Sequence, residues 1–543
     1  MPRTVKPAVA AVLGFAALTI AMTWPLLSPA AAVVPDSDDA YFSVWRLAWF
    51  AHQLPKNPLH LFDANVFHPA PGTLAFSDAM VMVSMLGAPL IWAGVPPALA
   101  HNLLLAAAFI SSMWFAFLLV RKLTGSAGAA WIAALIFGFA PYRFAHIGHL
   151  ELQWTMWMPL SMWLLHRFFE APSAGRGIAV GAALAGQTFC SIYYGVFLAC
   201  YLAAAWTIFC VVTRPQPRRI VPLSALMLAP LVVVALVYGP PYAHTRAEQG
   251  PRGLAEMTGL SAMPGDFLRV PPHNALRGSP QDPGPAPDER SLYPGAAALL
   301  LAAAAFLSRP RRWAVSYAAL AALSVDLALG MNGLLLPALQ QLAPLVTSLR
   351  TPARFGSLML LSVAVLAGLG AAAIFRARPA RRHLIVAIAT LLCISEYWSA
   401  PLRVRGGQGT PTDAHQWLAS QPPGTVVLEL PVPSPDALWL YETTYQVRSI
   451  HHWQPLINGY SGFAPGGYIN TLELLRGFPD EPSVKRLREL GVRFILLNRV
   501  FYSGTEFAAL IGTLRALPAF WPPQAFGGGE NQIVVVELKQ TAP

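Results

Sequence analysis

The stretch Pro35-Asp36-Ser37-Asp38-Asp39-Ala40-Tyr41-Phe42-Ser43-Val44-Trp45-Arg46-Leu47-Ala48-Trp49-Phe50-Ala51-His52-Gln53 decides how this chain is read. Three carboxylates crowd its first five residues, and the remainder has helical spacing. Asp39, Ser43, Arg46 and Gln53 then form a polar stripe, while Phe42, Trp45 and Trp49 form an apolar face suited to a headgroup boundary. The segment reads as a helix lying in a membrane interface, with Asp39 at its start and facing water. A plainer role competes, because Asp36, Ser37 and Asp38 are all N-cap residues that favour a helix start.

The surroundings make that interface a bilayer. Of 543 residues, 55% are hydrophobic and only 12% charged, about half the charge of soluble domains. A water-soluble enzyme of this size is excluded, and so is disorder. An apolar run from Pro7 to about Leu27 precedes the quoted stretch, and ten more lie at about 98–120, 126–141, 154–169, 177–191, 194–213, 220–239, 294–308, 313–330, 356–375 and 383–400. If each spans once, one side receives 16 of the 37 basic residues and a single acid, Glu170. The positive-inside rule makes that side, with the N-terminus, cytoplasmic. The net charge of +11 is therefore an orientation signal and gives no reason to invoke nucleic acid. Carboxylate chemistry belongs to the opposite, extracytoplasmic face. A further run, residues 80–95, breaks this parity if it spans and reads as a segment lying against the membrane.

The expected fold class is mainly α: a polytopic membrane domain of about eleven transmembrane helices over residues 1–400, with outer loops 29–97 and 240–293. A small soluble α/β domain occupies residues 401–543. Within it Thr425–Leu430, Val492–Leu497 and Gln532–Leu538 read as strands, and Glu481–Leu490 and Glu506–Leu517 as helices. Loop 240–293 is rich in Pro, Gly and Arg and reads as irregular. The four cysteines form no metal or redox pattern.

Three more outer clusters carry candidate chemistry. Arg143, His146, His149, Glu151 and Gln153 lie between the third and fourth spans. At helical spacing His146, His149 and Gln153 share a face as a polar wall toward substrate, and Glu151 points away. The HxxH pair also has metal-ligand spacing. Asp78 opens the 80–95 segment as its cap or as a second acid, and Tyr193 and Tyr194 stand at the turn between the fifth and sixth spans. Arg350 and Arg354 are four apart, so on a helix they grip one anionic group such as a phosphate, or else bind lipid headgroups.

Taken together, Asp39-x5-Trp45-Arg46-Leu47-Ala48-Trp49, Phe67-His68-Pro69-x3-Thr73-Leu74-x2-Ser77-Asp78, His149-x-Glu151-x-Gln153-Trp154 and Arg350-x-Pro352-x-Arg354-Phe355 resemble a bacterial group of the GT-C superfamily. These are integral-membrane glycosyltransferases that use polyprenyl-phosphate sugars. The resemblance covers about residues 8–400, and the C-terminal domain joins it only through Asn458-Gly459-Tyr460-Ser461-Gly462. It implies Asp39 as general base, with Asp38 beside it, in an inverting transfer to an envelope lipid, glycan or protein. It implies Arg350 and Arg354 as partners of the leaving lipid phosphate, with Arg143 and His149 behind them. Asp36, Arg46, Asp78, His146, Glu151, Gln153, Tyr193 and Tyr194 are the remaining substrate-site candidates. No cofactor is expected, although Asp36-Ser37-Asp38 has the carboxylate spacing of a divalent-ion site. The expected location is a bacterial inner membrane. Two other classes compete: a transporter or flippase, which calls for repeat symmetry and midplane charges that this chain lacks, and a scaffold in which the acids merely cap.

Overall fold

The structure is a computed structural model that describes residues 5–28, 33–250, 253–279, 288–342, 350–434, 437 and 439–540. Each of the eleven apolar runs is helical over most of its length, beginning with Val5–Met22, Pro97–Thr124 and Ala127–Phe139 and ending with Gly356–Ala377 and Arg382–Tyr397. Among the described residues six helices are long and apolar enough to cross a membrane: Pro97–Thr124, Ala127–Ala145, Ile192–Thr213, Pro217–Gln249, Arg312–Asn332 and Pro352–Ala377. Gly356–Ala377 is the central one, buried along nearly its whole length. Small residues make that possible: a Cβ at Gly368 would collide with Val120, and one at Gly370 with the Leu301 carbonyl.

The segment after Asp78 forms the helix Val81–Trp92. Its 12 residues reach only ~18 Å at ~1.5 Å per residue, short of a ~30 Å hydrocarbon core. It packs along Asp38–Gln53, where a Cβ on Gly87 would press on Leu47. Loop 240–293 departs from expectation. The helix Leu231–Gln249 runs through Pro240 and Pro241, and Leu254–Gly259 and Pro264–Leu268 add two short helical turns. Asp266 organises this region by accepting from the Met263 amide at 2.7 Å and pairing with Arg290 at 2.5 Å.

The C-terminal region forms the expected α/β unit. Val426–Leu430 lies parallel to Val492–Asn498, which pairs antiparallel with Ile533–Glu537, and Gln524–Phe526 completes the sheet. Gln524–Phe526 and the helices Asp413–Ala419, Glu442–Arg448 and Gly466–Leu475 escape a sequence reading because they are too short to show a period.

This unit is fastened to the first outer loop. Val33–Pro35 pairs antiparallel with Val404–Gly406. Farther on, His68 N donates to Leu456 O at 2.9 Å and Leu456 N to Asn65 O at 2.8 Å. The apolar face of Asp38–Gln53 consequently does not meet lipid headgroups. Phe42, Trp45 and Trp49 are buried in one cluster with Leu428, Leu430 and Ile457, and Phe42 meets Tyr460 edge-on at 5.4 Å. The backbone pairs on either side bring the sheet domain over that face, and burying three aromatic rings is a large hydrophobic gain.

Under the lid so formed, Glu442 accepts from Gly459 N at 2.7 Å and Asn458 Nδ2 at 3.1 Å, fixing the turn that carries Tyr460. Burial pushes its carboxyl up to about 8, further than its hydrogen bonds pull it down. A raised carboxyl pKa favours folding below its ordinary value, near 4.5, and the contribution is lost as pH rises through about 8. Thermal melts of the full chain should therefore show a C-terminal transition that weakens across that window, and Glu442→Gln should flatten the dependence.

Candidate active site

The site forms where the N-terminus of Asp38–Gln53, the 142–153 loop, residues 288–290, the start of the Gly356 helix and the Tyr460 turn converge. Ser37 decides the first question. Its Oγ accepts the Asp39 amide at 3.2 Å and is the N-cap, so the acidic side chains have other partners. Asp36 and Asp38 both hold Arg405, with Nε at 2.6 Å and Nη1 at 2.9 Å, and Thr443 Oγ1 donates to Asp38 at 3.0 Å. The two carboxylates that have divalent-ion spacing thus share a guanidinium from the C-terminal region. Among the described residues no three His, Cys, Asp or Glu side chains converge as a metal set.

Asp39 stands apart from that pair. Tyr460 OH donates to its Oδ1 at 3.1 Å, His149 Nε2 stands 3.2 Å from its Oδ2, and its side chain stays 30% exposed. The approach of His149 depends on Gly148, where a Cβ would sit 2.5 Å from Ser37 Oγ. The His146 ring meets the His149 ring edge-on at 5.4 Å, and His146 Nε2 lies 3.4 Å from Glu289. Burial pushes His146 down to about 3, so its imidazole is neutral. Glu289 in turn takes Arg354 through Nε and Nη2. Burial alone would raise Glu289, but Arg354 and then His146 hold it down to about 2. The Arg354 guanidinium stands over the Tyr193 ring at 5.4 Å. A continuous polar line therefore runs Asp39, His149, His146, Glu289, Arg354.

Several expectations change. The 142–153 segment is not one helix: Pro141–Ala145 ends before His146, and Leu150–Gln153 starts after His149. Gln153 consequently leaves the expected wall. It receives Arg143 Nε at 3.2 Å and donates to the carbonyls of Arg143 and His146 at 3.0 and 2.7 Å. Arg143, stacked on Phe109 at 4.2 Å, braces the loop with it. Glu151 enters a buried pair with Arg46 at 2.7 Å.

Asp78 does not cap the helix Val81–Trp92. It braces the start of Ile192–Thr213, whose N-cap is Ser191, accepting from the Ile192 amide at 2.8 Å and from Ser191 Oγ at 2.7 Å. Burial raises its carboxyl to about 6. Tyr193 faces Arg354, and Tyr194 is buried in the core. Arg350 and Arg354 do not grip one group, because only Pro352–Phe355 is helical, as a 3-10 turn. Arg350 turns to Glu256 at 2.6 Å instead.

Sequence reading missed Asp288, Glu289 and Tyr460. Asp288 faces His149 and Asp39, and partial desolvation with the nearby Glu289 and Asp39 charges raises its carboxyl. The pair Asp288-Glu289 was a visible signal, two adjacent acids at the end of an outer loop otherwise rich in Pro and Gly.

Residues 11–398 match the family described as Domain of unknown function (DUF6311), and the chain belongs to that family. Its fold is similar to those of solved structures that share little of its sequence. The arabinofuranosyltransferase AftD from Mycobacteria superposes with a TM-score of 0.61 at 13% identity, over 98% of this chain and 40% of its own. The oligosaccharyltransferase of Archaeoglobus fulgidus gives 0.55 at 14%, over 98% of this chain and 75% of its own. The archaeal oligosaccharyltransferase AglB from the same organism, in complex with an inhibitory peptide and a dolichol-phosphate, gives 0.50 at 14%, over 93% and 70%. This chain thus spans well under half the length of AftD. No curated protein matches it.

Glu289→Gln should cost about 3–5 kcal/mol, because it strands a buried guanidinium, and a Glu289→Gln/Arg354→Met double variant should recover much of that loss in thermal melts. Glu289 is depressed, so its contribution is present above about 4.5 and falls away as pH drops toward about 2.

Proposed function

We propose that this protein is a membrane glycosyltransferase that moves a sugar from a polyprenyl-phosphate donor to an envelope acceptor. Transfer takes place at the extracytoplasmic face, with Asp39 as general base. The observation that carries this reading is how the three acids divide: Ser37 caps the helix, Arg405 takes Asp36 and Asp38, and Asp39, outside that ion pair, stands between His149 and Tyr460. The shared fold supports it, as does the dolichol-phosphate bound to AglB.

In the reaction, one Asp39 oxygen takes the proton of the acceptor hydroxyl as the hydroxyl oxygen attacks the anomeric carbon. The carbon–oxygen bond to phosphate breaks with inversion, and its electron pair leaves on the lipid phosphate. Arg354 is the fixed cation for that charge. Glu289 engages its Nε and Nη2, which orients the guanidinium and leaves Nη1 for the phosphate. Arg350 contributes at most long-range potential. His149 and Tyr460 aim the base.

Eleven crossings put the N-terminus in the cytoplasm of a bacterial inner membrane and residues 401–543 outside. The acyl grooves between helices then hold the polyprenyl chain. No metal is assigned a role, and transfer should continue undiminished in EDTA.

Mass spectrometry of envelope glycans from a deletion strain complemented with variants tests the assignment. Asp39→Asn should abolish the sugar modification at normal membrane abundance, and Asp38→Asn should reduce it only through a loosened Arg405 contact. Wild-type glycans from Asp39→Asn contradict the proposal.

A further inference from the structure

A second cavity lies at the other end of the helix that starts with Asp38. Its volume is about 260 Å³, and Trp49, His52, Gln53, Asp63, His68 and Trp453 are among the residues that line it. Asp39 and His52 are 13 positions apart on this helix, which places the cavity ~20 Å from the base at ~1.5 Å per residue. It therefore takes no part in the chemistry at Asp39.

Its walls are aromatic and polar in alternation. The His52 ring stacks on Trp453 at 4.2 Å, and Trp49 meets Trp453 at 5.8 Å. Trp453 is held there at a cost: its φ is +55°, in the left-handed region that an aromatic residue rarely occupies. The strain is local, next to the backbone pairs that join Leu456 to Asn65 and His68. Around the rings stand the Gln53 amide, the Asp63 carboxylate and the half-buried His68 imidazole. Asp63 is already tied to His60 and to the Gly72 amide at 2.8 Å each. Burial, with Lys56 beside it, pushes His52 down to about 4, and burial lowers His68, so both imidazoles are neutral.

A site with aromatic rings, planar hydrogen-bonding groups at its edge and an Asp63 carboxylate that disfavours anions selects an uncharged ligand. That ligand has an apolar C–H face and a rim of hydroxyls, which is a sugar ring. A second space lies beside the first. His68, Pro69 and Ala70 line both, and the second, of about 510 Å³, is walled further by Glu248, Phe463, Tyr468, Thr471 and Arg486. A chain of rings reaches both spaces across the His68–Ala70 residues they share, and a single sugar occupies only one.

We infer that the seam between the first outer loop and the C-terminal domain is a docking site for a neutral linear oligosaccharide, seated on Trp453. Resting on the glycosyltransferase reading, this makes the acceptor a glycan already several units long, gripped away from the hydroxyl that reacts.

The test uses the full chain in lipid nanodiscs, probed with an array of linear hexose and pentose oligomers of graded length. Binding should strengthen with length. Trp453→Ala should weaken it at least tenfold, Trp453→Phe should retain most of it, and Asp39→Asn should leave it unchanged. Since Trp453→Ala removes a ring from the seam, His68→Ala provides a milder probe and should weaken binding several-fold with the melting curve intact. An array on which wild-type protein binds no oligomer overturns the inference. So does binding indifferent to both Trp453→Ala and His68→Ala, or binding of anionic phospholipid vesicles alone. Should Asp39→Asn keep full transfer activity while the Trp453 dependence holds, the docking site stands and the assignment of the base falls.

Discussion

The arrangement around Asp39 depends on Arg46. The guanidinium is fully buried, and it donates to Glu151 at 2.7 Å, to Ser43 Oγ at 2.9 Å and to the Asp78 carbonyl, while its carbon stands 4.3 Å over the Phe42 ring. Three segments distant in sequence are thereby joined at one charge: the helix that begins with Asp38, the turn before Val81–Trp92 and the loop carrying His146 and His149. A buried cation is tolerated only when its charge is paired, here by Glu151, so these segments keep one relative position. That position sets His149 beside Asp39.

The C-terminal domain completes what Arg46 begins. Its Arg405 takes the two acids next to Asp39, its Tyr460 reaches the third, and its sheet covers Phe42, Trp45 and Trp49. The C-terminal region is thus part of the site and not an appendage. The same seam that aims Tyr460 at Asp39 carries the Trp453 cavity at its far end, so Asp39 and that cavity share one helix.

How much of this the sequence carries differs by element. Apolar runs locate every long helix, because burial in hydrocarbon demands a continuous signal. The strands 426–430, 492–498 and 533–537 are equally legible as β-branched runs between turns. The Asp38 helix is correct in its period and polar stripe, but what covers its aromatic face is not, because helical spacing reports a buried side without naming the partner. Arg350 and Arg354 fail for a related reason. Their spacing implies a shared face only on an α-helix, and the chain there makes a 3-10 turn. Gln153 and Arg143 are polar residues in a promising loop, and only the folded chain reveals that they bond to each other. Glu289 and Tyr460 reach the site across long sequence separations, which no local pattern encodes.

The central claim is that Asp39 removes the acceptor proton and does not hold the donor. Its most direct test compares donor binding with single-turnover transfer for wild type and Asp39→Asn, both purified in nanodiscs and supplied with a polyprenyl-phosphate sugar. The account predicts unchanged donor affinity with transfer slowed by about 10²–10⁴-fold, the range removed with a general base. Transfer at the wild-type rate, or a loss explained wholly by weaker donor binding, would contradict it.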